Sequence, residues 1–150
     1  GRMQKLDKNN IWIDYAHTPD ALSNALQTLH LHYPESKLRV VFGCGGDRDK
    51  SKRQQMGKIA SELAHSIVLT NDNPRNEQPE DIVKDILAGV KIENNTQVIL
   101  DRKVAINTAI TTLNEDEVLL IAGKGHETTQ IIGSQVLPFS DIEIALDALI

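Results

Sequence analysis

Four short apolar runs in this chain each break off into a cluster of glycine, amide, acidic and basic residues. Ile11-Trp12-Ile13 leads into Asp14-Tyr15-Ala16-His17-Thr18-Pro19-Asp20, and Leu38-Arg39-Val40-Val41-Phe42 into Gly43-Cys44-Gly45-Gly46-Asp47-Arg48-Asp49. Ser66-Ile67-Val68-Leu69 leads into Thr70-Asn71-Asp72-Asn73-Pro74-Arg75, and Val118-Leu119-Leu120-Ile121-Ala122 into Gly123-Lys124-Gly125-His126-Glu127. Such runs are too short for helices and too continuously apolar for a half-exposed strand. They read as strands buried on both faces, the kind found in parallel sheets. Segments of helical spacing lie between them, so strand and helix alternate and a doubly wound α/β layer is expected. Ligands of open α/β sheets bind beyond the carboxyl ends of the strands. In a parallel sheet all four clusters would line that one edge.

The helices carry clear punctuation. Thr18 is placed to cap a helix that begins at Pro19 and Asp20, with Ala21, Leu22, Ala25, Leu26 and Leu29 as its apolar stripe. A second helix is expected over about 51–64, with Met56, Ile59, Ala60 and Leu63 inward. A third opens at Pro79, carries Glu80 and Asp81 in its first turn, buries Ile82, Val83, Ile86 and Leu87, and stops at Gly89. Gln97-Val98-Ile99-Leu100 reads as a strand, and Asp101 as the cap of a helix reaching Leu113. Gly133-Ser134 between Thr129-Gln130-Ile131-Ile132 and Gln135-Val136-Leu137-Pro138 suits a hairpin turn, which should add an antiparallel strand at one edge of the sheet. Ser140 and Glu143 have capping-box spacing and open the last helix.

Bulk properties narrow the function classes. The chain has 150 residues, enough for one domain, and a hydrophobic content of 40%. No apolar run approaches the ~20 residues of a membrane span, and the polar start has no signal-peptide pattern. A net charge of −5 and an aromatic content of 3% argue against a nucleic-acid surface, so neither nucleic acid nor membrane is an expected partner. The single cysteine, Cys44, cannot form an internal disulfide, which fits a cytoplasmic home. No base adjoins it in sequence, and it reads as a small residue at a tight strand exit. His30 and His32 stand two apart on a helix and face different ways, so no metal site is expected.

The clusters carry the chemistry. No G-x-G-x-x-G follows the first strand, and Gly123-Lys124-Gly125 lacks the frame of a P-loop. Any ATP would have to be shared with another domain. Pro74 fixes its own φ and restricts Asn73, so Arg75 sits on a stiff turn. Its planar fork suits a carboxylate. Arg48 is a second fork, with Asp47 and Asp49 beside it as possible supports. Glu127, after a backbone-exposing glycine turn, can accept from an ammonium group. Two cationic forks and one anion suit a zwitterion, the signature of an amino-acid pocket. The plainer alternative is a set of solvated charge runs and helix-leading loops.

Taken in order, Asp14-Tyr15-Ala16-His17-Thr18-Pro19, Gly45-Gly46-Asp47-Arg48-Asp49, Asp72-Asn73-Pro74-Arg75 and Gly123-Lys124-Gly125-His126-Glu127 resemble the C-terminal domain of the Mur ligases. Within that family they are most similar to the UDP-N-acetylmuramoyl-tripeptide synthetase type. The resemblance spans essentially the whole chain. It implies one Rossmann-like domain over 1–150: a mostly parallel sheet of about six strands with one antiparallel edge strand and helices on both faces. Residues 1–10 would be an interdomain linker. The UDP-binding domain and the central ATPase domain, with its P-loop, magnesium sites and carbamylated lysine, would lie elsewhere in the full-length chain. ATP and Mg2+ would then serve the full enzyme, with none held by this domain alone and no catalytic residue or metal ligand within it.

The family reaction, a step of peptidoglycan biosynthesis, is an ATP-dependent amide ligation onto UDP-MurNAc-L-Ala-D-Glu. Its γ-carboxylate is phosphorylated and the amine of the third residue attacks the acyl phosphate. By the resemblance, Asp-Asn-Pro-Arg marks enzymes that add meso-diaminopimelate. Arg48, Asp72, Asn73, Pro74, Arg75, Gly123 and Glu127 would form that pocket, and Asp14, Tyr15, His17 and Arg2 would face the nucleotide. The isolated fragment is expected to lack ligase activity. A lysine-adding relative, a stand-alone amino-acid-binding module and a folylpolyglutamate synthetase are the competing readings. The Asp-Asn-Pro-Arg run argues against the last.

Overall fold

The computed structural model describes residues 3–6, 10–91 and 95–150. Along the chain come β1 (Gln4–Lys5), β2 (Ile11–Asp14), α1 (Pro19–His32), β3 (Lys37–Phe42), α2 (Ser51–Leu63), β4 (Ser66–Leu69) and α3 (Pro79–Leu87). After these follow β5 (Asn95–Val98), α4 (Arg102–Thr111), β6 (Glu117–Ala122), β7 (Thr129–Ile132), β8 (Gln135–Pro138) and α5 (Asp141–Ala148). Six strands form one sheet in the order β1-β2-β6-β3-β4-β5. All its pairings are parallel except that of β1 with β2.

The strands are apolar on consecutive residues because both faces are covered. Val40, Phe42, Ile67, Leu69, Val118 and Leu120 pack with Leu22, Leu26, Met56, Ala60, Ile82 and Ile86 of α1, α2 and α3. Their sequence neighbours Val41, Val68, Leu119 and Ile121 pack on the other face with Ala105, Ile106 and Ala109 of α4 and Ala145 of α5. Caps fall where the sequence puts them. Thr18 Oγ1 accepts from Ala21 N, Asp101 Oδ1 from Val104 N, and Ser140 Oγ from Glu143 N.

Three expectations need correction. The hairpin β7–β8 is a separate two-stranded sheet, and β1 supplies the antiparallel edge strand instead. That strand lies within residues 1–10, and Leu6 beside it is buried in the α4–α5 core. The fifth strand is Asn95–Val98, not 97–100. Its edge position lets polar residues do the pairing, while Ile99 packs beyond it and donates its N–H to Leu69 O. Leu87 of α3, expected inside, is 39% exposed because it falls past the last turn that faces the sheet. Among the described residues no helix is long and apolar enough to cross a membrane.

Register now fixes where the clusters go. Asp14 pairs with Ala122 and Phe42 with Leu69, so β2, β6, β3 and β4 end level and side by side. The loops after them leave from one edge of the sheet.

Candidate functional site

The four loops enclose a cavity of about 430 Å³. Arg48, Asp72, Asn73, Arg75, Gly123 and Glu127 line it, with Tyr15 and His17 at the side contributed by β2. Of the remaining expected site residues, Pro74 is buried behind the wall, and Arg2 lies outside the described residues. Asp14 is only 4% exposed and does not reach this cavity. Its Oδ2 accepts from Ala16 N at 3.0 Å, which shapes the turn, and it borders a shallower recess with Met3, Asn24 and Thr28.

The loops carrying the two arginines are locked together. Gly46 N donates to Asn73 O at 2.8 Å, and Arg75 Nη1 donates to Gly46 O at 2.9 Å. A Cβ on Gly46 would stand 1.8 Å from Pro74 O, so only glycine permits this approach. Asp47 and Arg75 both adopt left-handed backbone, at φ 55° and 52°. Such conformations persist in non-glycine residues only where surroundings over-determine them. For Arg75 the hairpin does so: its N–H donates to Ile131 O and its carbonyl accepts from Gly133 N. The stiffness of the turn thus comes from Gly46 and β7 as much as from Pro74.

Arg48 is held differently from the expectation. Its Nη1 donates to the Asp47 backbone carbonyl at 2.9 Å. The Asp47 carboxylate turns instead to Asn76, and Asp49 accepts from the backbone N and the hydroxyl of Ser51, the first residue of α2. The real support is Arg53, buried to 1% exposure. Its guanidinium donates to Gly45 O, to both oxygens of Glu77 and to Asp85. Glu77 in turn accepts from Asp47 N at 2.8 Å. Sequence did carry a signal for Arg53, since it lies on the same helical face as Met56, Gly57 and Ala60. A charge on a buried face must find partners.

The Arg53 guanidinium, helped by the Asp47 N–H, holds the Glu77 carboxyl down at about 2, against 4.5 when free. A carboxylate depressed on folding adds stability above its free value, and that stability is lost as pH falls toward the folded value. Acid unfolding of the wild-type chain is therefore expected to steepen between pH 4.5 and about 2. In Glu77→Gln the slope of unfolding free energy against pH over that window should be smaller. Equal slopes by urea titration at each pH would refute the coupling.

In the loop after β6 Lys124 is fully buried, with Nζ 2.8 Å from Asn73 Oδ1 and 3.0 Å from Thr129 O. Gln130 Nε2 donates to Asp72 O at 2.8 Å. The Glu127 charge, with burial adding to it, raises the Tyr15 phenol above its ordinary value, and both residues line the cavity. The Tyr15 and His17 rings lie 4.5 Å apart. Burial pushes the Cys44 thiol up to about 12, and its Sγ sits 3.7 Å from Met56 Sδ. Among the described residues no three His, Cys, Asp or Glu side chains gather as a metal site.

The family model described as Mur ligase, glutamate ligase domain, matches residues 1–125. The chain belongs to the Mur ligase family. Among relatives of this Mur ligase domain, UDP-N-acetylmuramoyl-L-alanyl-D-glutamate--2,6-diaminopimelate ligase of Coxiella burnetii is 53% identical over 152 aligned positions, 99% of this chain and 31% of that protein. The protein of the same name from Rickettsia montanensis is 51% identical over 145, 96% of this chain and 30% of its own. A solved structure of a ligase so named superposes with a TM-score of 0.92 at 40% identity, covering 99% of this chain and 31% of that one. The Mur ligase domain described here therefore spans under a third of the length of these relatives.

Proposed function

We propose that this Mur ligase domain binds meso-diaminopimelate and presents its amine to the activated substrate of a full-length diaminopimelate-adding ligase. The observation that carries this reading is the cavity itself: a space of about 430 Å³ lined by Arg48 and Arg75, both beside Gly45, and by Asp72 and Glu127, at 3.5 and 3.7 Å from Lys124 Nζ. Guanidinium forks match carboxylates and the acids match ammonium groups. Diaminopimelate carries two of each. Lysine lacks the second carboxylate and would leave one fork unpaired.

The relatives named above are, as their names say, ligases of UDP-N-acetylmuramoyl-L-alanyl-D-glutamate and 2,6-diaminopimelate, and the same acceptor is proposed here. In this reading ATP and Mg2+ are held chiefly by a central ATPase domain of the same longer, cytoplasmic chain. Residues 1–10 join that domain to this one. Tyr15, His17, Asp14 and Arg2 are proposed to lie toward the nucleotide, and the ligation needs the other domains. This domain's own part is to bind, to orient and to exclude the wrong amine. Holding two reactants in line is worth up to roughly 7–11 kcal/mol of barrier.

The test is competition in the full-length ligase carrying this domain, with diaminopimelate and lysine both present. Diaminopimelate is expected to be incorporated with kcat/KM higher by about three orders of magnitude or more, since a site built to pair a polar group strongly rejects the analogue without it. Preference for lysine would overturn the assignment.

A further inference from the structure

We propose that Lys124 is a positioning residue that fixes Asn73 with its carboxamide nitrogen turned to the ligand. This rests on the amino-acid-pocket reading and adds to it which residue sets the polarity of the pocket wall. Asn73 Oδ1 lies 2.8 Å from Lys124 Nζ and 2.9 Å from Ile131 N. Both neighbours are obligate donors: an ammonium has no acceptor lone pair, and neither has a backbone N–H. The carboxamide atom between them must therefore be oxygen. Asn73 also lines the cavity. With its oxygen occupied twice from behind, the group it offers forward is the NH2, a donor. Asn73 becomes a third carboxylate-seeking group beside Arg48 and Arg75.

Lys124 is suited to this task and to little else. Its side chain is fully buried, and Thr129 O at 3.0 Å holds a second of its three protons. Asp72 at 3.5 Å and Glu127 at 3.7 Å balance its charge without drawing it forward into the cavity. It thus links the loop after β6, the loop after β4 and the first residue of β7. Taking away the ammonium frees the Asn73 carboxamide to rotate and present its oxygen, which repels a carboxylate. It also leaves the two acids with less compensating charge.

The experiment pairs two variants. In the full-length ligase, Lys124→Met is expected to raise the KM for diaminopimelate about tenfold or more, the scale of one charged hydrogen bond, with kcat and the KM for ATP little changed. Asn73→Asp keeps an oxygen for Lys124 but turns an acceptor forward. It should lose diaminopimelate affinity at least as severely as Asn73→Ala while melting with the wild type. In the 150-residue chain, the Asn73 side-chain NH2 signals should shift when diaminopimelate is titrated. In Lys124→Met they should shift less.

An unchanged KM in Lys124→Met, or an Asn73→Asp variant that binds better than Asn73→Ala, would overturn the proposal. Should Lys124→Met fail to fold, the Asn73 pair and the NH2 signals decide alone. A wild-type ligase that shows no preference for diaminopimelate would instead sink the reading of the pocket, an outcome separate from these.

Discussion

Replacing Arg75 by alanine in the full-length ligase is expected to lower kcat/KM for diaminopimelate about a hundredfold, while use of lysine changes by no more than about threefold. The size follows from removing one partner of a hydrogen-bonded charge pair inside a cavity, which costs about 2–5 kcal/mol. The asymmetry follows from chemistry: the distal carboxylate exists in one substrate and not in the other. Arg75 also donates to Gly46 O, so part of the loss will come from loosening the loop that carries Arg48. Arg75→Lys separates the two contributions. It retains charge but not the planar fork, and a bidentate site should be recovered only partly. Backbone strain does not confuse the comparison, because arginine, lysine and alanine bear a similar penalty at φ 52°. Equal losses for diaminopimelate and lysine would remove the clamp and leave Arg75 as a loop brace.

How far the sequence announces this site depends on what kind of signal each part emits. Buried parallel strands are apolar on every residue, so Val40-Val41 and Ile67-Val68 advertise both faces at once. Their ends are legible as abrupt changes to glycine, amide and charge, and the parallel sheet then brings those ends together. Caps such as Thr18 are legible because the side chain and the following proline act locally. What escapes is whatever depends on partners remote in sequence. The pairing of Gln4–Lys5 against β2 is such a case, since a strand so short has no period. The hairpin was legible as a hairpin, but not its detachment from the main sheet. Its docking runs through Arg75 and Asn73 rather than through a strand edge. The support of Arg48 escapes for the same reason. Asp47 and Asp49 are its neighbours in the chain, but the residues that hold its loop are Arg53 and Glu77. Lys124 stands in a recognisable cluster, yet nothing in its neighbours says that its amine turns inward.

The largest stability effect is expected at a pair that sequence gives no hint of. Arg102 and Asp141 are both fully buried and bonded twice, Nε to Oδ1 at 2.8 Å and Nη2 to Oδ2 at 2.7 Å. The same guanidinium donates to Asn71 O and to Ala122 O. It therefore ties the first residues of α4 and α5 to the strand exits that carry Asp72 and Gly123. Arg102→Met strands a buried carboxylate, and breaking such a pair from one side costs about 3–5 kcal/mol. For a domain of this size each kcal/mol is worth about 2–4 °C, so the melting temperature should fall by roughly 10 °C or more. Replacing both partners by apolar residues of similar volume is often close to neutral. Arg102→Met with Asp141→Leu should therefore recover most of the lost stability. It should not recover diaminopimelate affinity, because Asn71 O and Ala122 O still lack their donor and the two loops they belong to are no longer held at a fixed separation. Thermal unfolding of the chain, set beside the KM for diaminopimelate in the full-length ligase, separates the two roles. A double variant as unstable as the single one would mean that the loss comes from packing around Arg102 and not from the stranded charge. A double variant with wild-type affinity would mean that the strand exits keep their geometry without Arg102.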